Sequence, residues 1–261
     1  MPGERTFIWK IGPIVFGAFF HLIFRIRFVG TDNLPSTGGG VVAPNHISSL
    51  DPVVIELLVT GRDRTLHFFS GTEFFARPVI GHGLRAFDQI PLNRGANDTE
   101  AMEKAVALSR GGRLFGLFPE GKINNEEALL RGRRGAARIA VGSGTPLIPM
   151  GIWGTQVRWP GSGLTFRRPW RPTVVVVVGE PLQVDPNATS AREILHITND
   201  LMARIEQLRD RARAIAGRNF ACDRSEKGKG TKTTAPAAGV TMRHPPRGDS
   251  SPRPRPLRSG A

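Results

Sequence analysis

The chain has 261 residues, 39% hydrophobic and 22% charged, with 31 glycines and 21 prolines, the make-up of one large globular domain able to bury a core. A single cysteine excludes an internal disulfide and a cysteine-cluster metal site. The formal charge of +14 points to a polyanionic partner: nucleic acid, an anionic membrane surface or a phosphorylated substrate.

Between Lys10 and Arg25 the chain is apolar except for His21, and Gly12, Pro13 and Gly17 interrupt the run. Crossing a bilayer takes about 20 apolar residues, so this stretch is short for a span. Trp9 and the cations at both ends suit a segment lying in the headgroup layer, so residues 1–27 are expected to be an interfacial anchor with a membrane-associating helix; a buried first helix is the alternative. Apolar, β-rich runs then recur at Gly40–Ala43, Leu66–Ser70, Phe87–Leu92, Leu114–Phe118, Leu147–Trp153 and Thr173–Val178. Helical patterns lie between most of them. Pro52–Thr60 can follow Asp51 as N-cap. The stretch 97–112 offers Asn97 as N-cap and Gly111 as a stop, and 126–144 ends at glycine in the same way. A Ser190–Glu193 capping box opens a helix whose apolar positions Ile194, Ile197, Leu201, Ile205 and Leu208 form a core stripe. Strands alternating with helices predict an α/β body over residues 28–221. From Cys222 to the end, nine Lys/Arg stand against three Asp/Glu in a Pro-, Gly- and Ser-rich context, which predicts a disordered basic tail over 222–261.

Two constellations carry the chemistry. In "VVAPNHISSLDP", residues 41–52, His46 and Asp51 sit where a strand gives way to a helix, with four residues between them. Catalytic groups concentrate on such connections. A carboxylate that fixes one ring nitrogen as donor leaves the other as a base; a simple turn with Asp51 capping the helix fits the spacing equally well. No Gly-x-Ser-x-Gly and no reactive cysteine lies nearby, so a histidine–aspartate pair would activate a hydroxyl of the substrate. In "GRLFGLFPEGK", residues 112–122, an apolar strand runs into Glu120, Gly121 and Lys122. Arg94, in "IPLNRG", and Arg131, Arg133 and Arg134 add cations suited to a phosphate. His21, His67, His82 and His196 show no metal-ligand spacing.

"NHISSLDP", "IPLNRG", "FPEG" and "TPLIPMGI", in that order, resemble the four blocks of the glycerolipid acyltransferase family, which includes 1-acyl-sn-glycerol-3-phosphate acyltransferases. The blocks span about residues 40–155. The resemblance implies a central mixed sheet flanked by helices, a glycerol-3-phosphate acyltransferase-like fold, with residues 28–221 as the acyltransferase domain. It implies His46 as general base and Asp51 as its orienting partner. Asn45, Arg94, Glu120, Gly121, Lys122 and Arg134 would contact the substrate, and Pro149 would shape the acyl or thioester site. Lys122 and Ile123 stand where the family usually carries threonine and arginine, so that cation is displaced or replaced. The implied reaction moves a fatty acyl group from acyl-CoA or acyl carrier protein to lysophosphatidic acid, giving phosphatidic acid, with no metal and no cofactor beyond the donor. The implied partners are the acyl thioester, a lysophospholipid and an anionic membrane surface, at the cytoplasmic face of the cell membrane. Two rivals remain: the same chemistry on another lysophospholipid, an acylated amino acid or a glycolipid, and a non-catalytic basic protein for membrane or nucleic acid. The chain carries no zinc-finger or RNA-binding signature in support of nucleic acid.

Overall fold

The computed structural model describes residues 17, 18, 20–92, 99–124, 126, 128–160, 163, 165 and 170–227. Among them, seven strands form one sheet: β1 (Arg25–Val29), β2 (Gly40–Pro44), β3 (Leu66–Gly71), β4 (Ile90–Leu92), β5 (Leu114–Gly116), β6 (Leu147–Trp153) and β7 (Thr173–Val178). Their spatial order is β1-β7-β6-β2-β5-β3-β4. Neighbours are parallel except β6 and β7. The sheet is therefore mixed, and β2 stands at its centre.

The α-helices after β1 are, in chain order, α1 (Asp51–Thr60), α2 (Thr72–Phe75), α3 (Pro78–Ala86), α4 (Thr99–Arg110), α5 (Gly135–Ser143) and α6 (Ala191–Lys227). The run of five valines in β7 shows why both faces of the sheet must be covered. Val174, Val176 and Val178 pack with α1 residues Val54, Ile55 and Leu58 on one side. Val175 and Val177 meet Ala212 and Ala216 of α6 on the other. A strand buried on both sides reads as continuous hydrophobic sequence rather than as an alternation. The remaining core, over Val41, Ala43, Phe115 and Leu147, is sealed by α4, α5 and α6.

Several expected boundaries change. Strand β1 begins at Arg25, inside the segment assigned to the anchor, and Phe20 and Phe24 just before it are buried against the α1 side of the core. Residues 1–16 lie outside the described residues, and no described helix is long and apolar enough to cross a membrane. The strand expected over Phe87–Leu92 shrinks to Ile90–Leu92. Asp88 takes a left-handed φ of 47°, and the Gln89 side chain replaces strand pairing. Its Oε1 accepts from the Phe68 amide at 2.6 Å and its Nε2 donates to Leu66 O at 3.3 Å. The helix expected across 126–144 starts only at Gly135, because the Leu130 amide is drawn away to Glu120. The capping box forms as expected: Ser190 N donates to Glu193 Oε2 at 3.0 Å and Glu193 N to Ser190 Oγ at 3.2 Å. Helix α6 continues to Lys227, past the expected tail boundary at Cys222. Asn97 and residues 228–261 lie outside the described residues.

Candidate active site

Strand β2 delivers the chain to the central point of the sheet's edge and stops at Pro44. The next residue, Asn45, is fully buried. Its Oδ1 accepts from Ile152 N at 2.7 Å and its Nδ2 donates to Ile152 O at 3.1 Å. The amide thus continues the β2–β6 ladder by one step with a side chain. The four-block resemblance puts Asn45 at the substrate; the structure shows it fully buried with both polar atoms engaged, fixing where the next residue starts.

That residue is His46. Its Nδ1 lies 2.9 Å from Asp51 Oδ2. The same oxygen accepts the amides of Ile47 at 2.7 Å and Ser48 at 2.8 Å, and Oδ1 accepts from Thr155 Oγ1 at 2.6 Å. Asp51 is fully buried while the His46 side chain is 15% exposed. A carboxylate offers only acceptors, so the Nδ1 proton is the one donated and Nε2 holds the lone pair. The expectation that Asp51 caps α1 is corrected here. The cap residue is Leu50, with no side-chain cap bond, and Asp51 opens the helix itself. Its Oδ2 turns back to the preceding loop, its Oδ1 faces Thr155, and its charge sits at the positive end of the helix dipole.

Two flanking elements hold the imidazole. Phe118 stacks on it, with centroids 3.9 Å apart and planes at 20°. Phe68 stacks on Phe118 in turn at 5.6 Å. Gly116 makes this possible, since a Cβ there would stand 2.2 Å from the Phe68 ring. Glu120, 3% exposed, gives Oε1 to the His46 amide at 2.9 Å and Oε2 to Asn124 Nδ2 at 2.9 Å and Leu130 N at 3.1 Å. The Asn124 backbone amide donates to His46 O at 2.7 Å. Both backbone polar groups of His46 are therefore tied to the loop after β5. The resemblance gives Glu120 to the acceptor; the structure shows its carboxylate clamping two loops together.

Gly121, at φ 71°, and Lys122 are exposed beside this clamp. The Arg133 side chain packs over Gly121, where a Cβ would stand 2.6 Å from Nε. Arg134 precedes α5 and lines a pocket of about 270 Å³ with Arg138, Thr189 and Ile194, between α5 and α6. Among the described residues, no hydrogen bond joins the Arg134 side chain to the His46 loop. Pro149 lies in β6 opposite Ala43. Arg94 lies outside the described residues. His67 is a core residue: Nδ1 meets Asp88 O at 3.0 Å and burial pushes its pKa down. Among the described residues no group of three or more His, Cys, Asp or Glu is placed to hold a metal ion.

Sequence reasoning misses Phe118, Asn124 and Thr155. Phe118 reads only as the end of a strand, and Thr155 meets Asp51 across 104 positions, which no local pattern signals.

Residues 25–153, which include His46, Asp51, Phe118, Glu120 and Asn124 but not Thr155, match the model of the family described as Acyltransferase. Those residues form an Acyltransferase domain. Over 188 residues it is 28% identical to a 1-acyl-sn-glycerol-3-phosphate acyltransferase of Bacillus subtilis, covering 71% of this chain and 89% of that one. It is 32% identical over 155 residues to the chloroplastic 1-acyl-sn-glycerol-3-phosphate acyltransferase BAT2 of Brassica napus. That match covers 58% of this chain and spans 44% of the plastid protein. The crystal structure of the 1-acyl-sn-glycerophosphate (LPA) acyltransferase PlsC from Thermotoga maritima superposes with a TM-score of 0.62 at 25% identity, covering 78% of this chain and 80% of that one. The acyltransferase domain thus uses a mixed α/β sheet whose central strand presents His46 and Asp51.

Proposed function

We propose that this acyltransferase moves a fatty acyl group from a thioester to the free hydroxyl of lysophosphatidic acid, yielding phosphatidic acid. The His46–Asp51 pair carries the reading: a base with a fixed tautomer, partly exposed, with no serine or cysteine side chain hydrogen-bonded to the ring among the described residues. The acceptor's hydroxyl gives its proton to His46 Nε2 as its oxygen attacks the thioester carbonyl. The tetrahedral intermediate collapses, the C–S bond breaks, and the thiolate takes the proton back from the imidazolium. Asp51 stabilises the imidazolium through Nδ1 and takes no proton. Phe118 covers one face of the ring and keeps it from rotating. Lys122 and Arg133, on the exposed side of the Glu120 clamp, suit the acceptor's phosphate, and Arg94 is assigned the same task by its block. Coenzyme A or acyl carrier protein is the thiol released, no further cofactor takes part, and the enzyme works peripherally at the cytoplasmic face of the membrane. The Lys122–Ile123 departure favours one second reading, the same transfer to a different phosphorylated acceptor.

The test is thiol release from acyl-CoA in the presence of lysophosphatidic acid. His46→Ala should lower kcat by ~10²–10⁴ with the circular dichroism spectrum unchanged. Turnover within a few-fold of the parent would remove His46 from the reaction, and turnover with another lysophospholipid alone would move the assignment to that acceptor.

A further inference from the structure

Strand β4 is an outer strand of the sheet and has only three residues. Its middle residue, Pro91, has no N–H to donate, a defect tolerated at an edge. Just before this weak strand, the chain is held to β3 by a side chain. Gln89 Oε1 accepts the Phe68 amide at 2.6 Å, and Nε2 donates to Leu66 O at 3.3 Å. In a parallel ladder a strand bonds in this way to two alternate residues of its neighbour, so the carboxamide stands in for a peptide group. Nε2 also donates to Phe87 O at 2.8 Å, which fixes the amide's orientation. Beside it, the buried His67 meets Asp88 O through Nδ1 at 3.0 Å. Two consecutive residues of β3 therefore grip the two residues that precede β4.

This grip reaches the active site through aromatic rings. Phe68 points to the opposite face of the sheet from His67. Its ring lies over Gly116 and stacks on Phe118, with centroids 5.6 Å apart and planes at 11°. Phe118 stands two residues beyond the end of β5, so its ring is set by its neighbours rather than by strand pairing. One of those neighbours is the His46 imidazole, at 3.9 Å. Close-packed groups pass a displacement on instead of absorbing it. A shift of the Phe68 main chain would move Phe118 and turn the imidazole from its line to the acceptor hydroxyl.

We infer that Gln89 is a positioning residue for His46, acting through Phe68 and Phe118 from three strands away. This deepens the proposed function and rests on it for His46 as the base. Gln89 touches no reacting atom; it sets the angle at which the base is held.

The test is a double-mutant cycle in the full-length chain, read by thiol release from acyl-CoA with lysophosphatidic acid. Gln89→Met keeps the side chain's length and removes its hydrogen bonds; Gln89→Ala removes both. Each should lower kcat ~10-fold and leave KM for the thioester within about twofold. In a Phe118→Ala background the same substitutions should lower kcat by less than about twofold further. An equal fold-loss in both backgrounds, or a Gln89→Met kcat within about twofold of the parent, would overturn the positioning role. A second readout needs no substrate. The Phe118 ring shields the His46 Hε1 proton, so Gln89→Met should shift that NMR resonance and leave those of the exposed His82 and His196 in place. An unmoved His46 resonance would overturn the inference as well. A shifted resonance in a protein whose parent shows no turnover with lysophosphatidic acid would sink the proposed function and leave the positioning of His46 standing.

Discussion

Replacing Asp51 by asparagine separates its electrostatic role from its structural one. The carboxylate receives three N–H donors at Oδ2 and one hydroxyl at Oδ1. An asparagine can keep its carbonyl at the Oδ2 position and point its NH₂ at Thr155, whose hydroxyl can turn to accept. The loop therefore survives, and His46 keeps its tautomer. The charge is lost. At 2.9 Å and an effective dielectric constant near 20, a full imidazolium–carboxylate attraction is worth about 6 kcal/mol. A transition state with the proton half transferred forfeits about half of that, ~3 kcal/mol, or roughly 10²-fold in rate. Complete transfer sets the upper limit near ~10⁴-fold. Asp51→Asn should accordingly lower kcat by ~10²–10⁴ while KM for the thioester stays within about threefold. Steady-state thiol release measures both, and thermal melting monitors the fold. A kcat within about threefold of the parent would refute the electrostatic role and leave Asp51 as a loop brace only.

Glu120→Ala leaves the His46, Asn124 and Leu130 donors without their acceptor, at about 1–3 kcal/mol for each buried group left unpaired. It should lower Tm and kcat together, with Glu120→Gln recovering part of both. Phe118→Ala removes the ring stacked on His46; kcat should fall at least ~10-fold with little change in Tm, and a rate equal to the parent's would remove the positioning role. Burial pushes the Glu56 carboxyl from 4.5 up to about 8, so the fold favours its protonated form. That contribution to stability is complete below about pH 4.5 and is lost as pH rises through about 8. Glu56→Gln should flatten this decline and raise Tm above the parent's at about pH 8.5, by a stability difference on the order of a few kcal/mol; parallel melting curves from about pH 5 to about pH 8.5 would contradict it.

The strands were legible where hydrophobic runs were long and bounded by turns, as in β2, β6 and β7, and the His46–Asp51 pair was legible because a polar cluster interrupts such a run. What remained hidden depended on register. Nothing local marks Asn45 as a partner of Ile152, 107 positions away; parallel strands meet only after their crossovers are folded. Asp51 matched the composition of an N-cap, but the unpaired donors of the 46–48 loop draw its oxygens more strongly than those of the helix. In the same way Glu120 matched a substrate-binding carboxylate by position, while the tertiary neighbours Asn124 and Leu130 decided its partners. Helix α3 escaped notice because Gly81 and Gly83 disguise a helical pattern, and Gln89 shortened β4 by bonding as if it were backbone.

The clamp on His46 has a consequence for how this enzyme can change. Its fixed points are Glu120 and Asn124, which hold the histidine's main chain from both sides. Between them Gly121 and Lys122 are exposed and Ile123 half-buried, and the bonds of the clamp pass through none of their side chains. Variation in this short bridge can re-tailor what the enzyme recognises while the proton-transfer machinery stays in register. A saturation library confined to positions 122 and 123 is thus the natural starting point for redirecting acceptor choice, and the same partition offers a route by which relatives with one shared base could diverge onto different lipids.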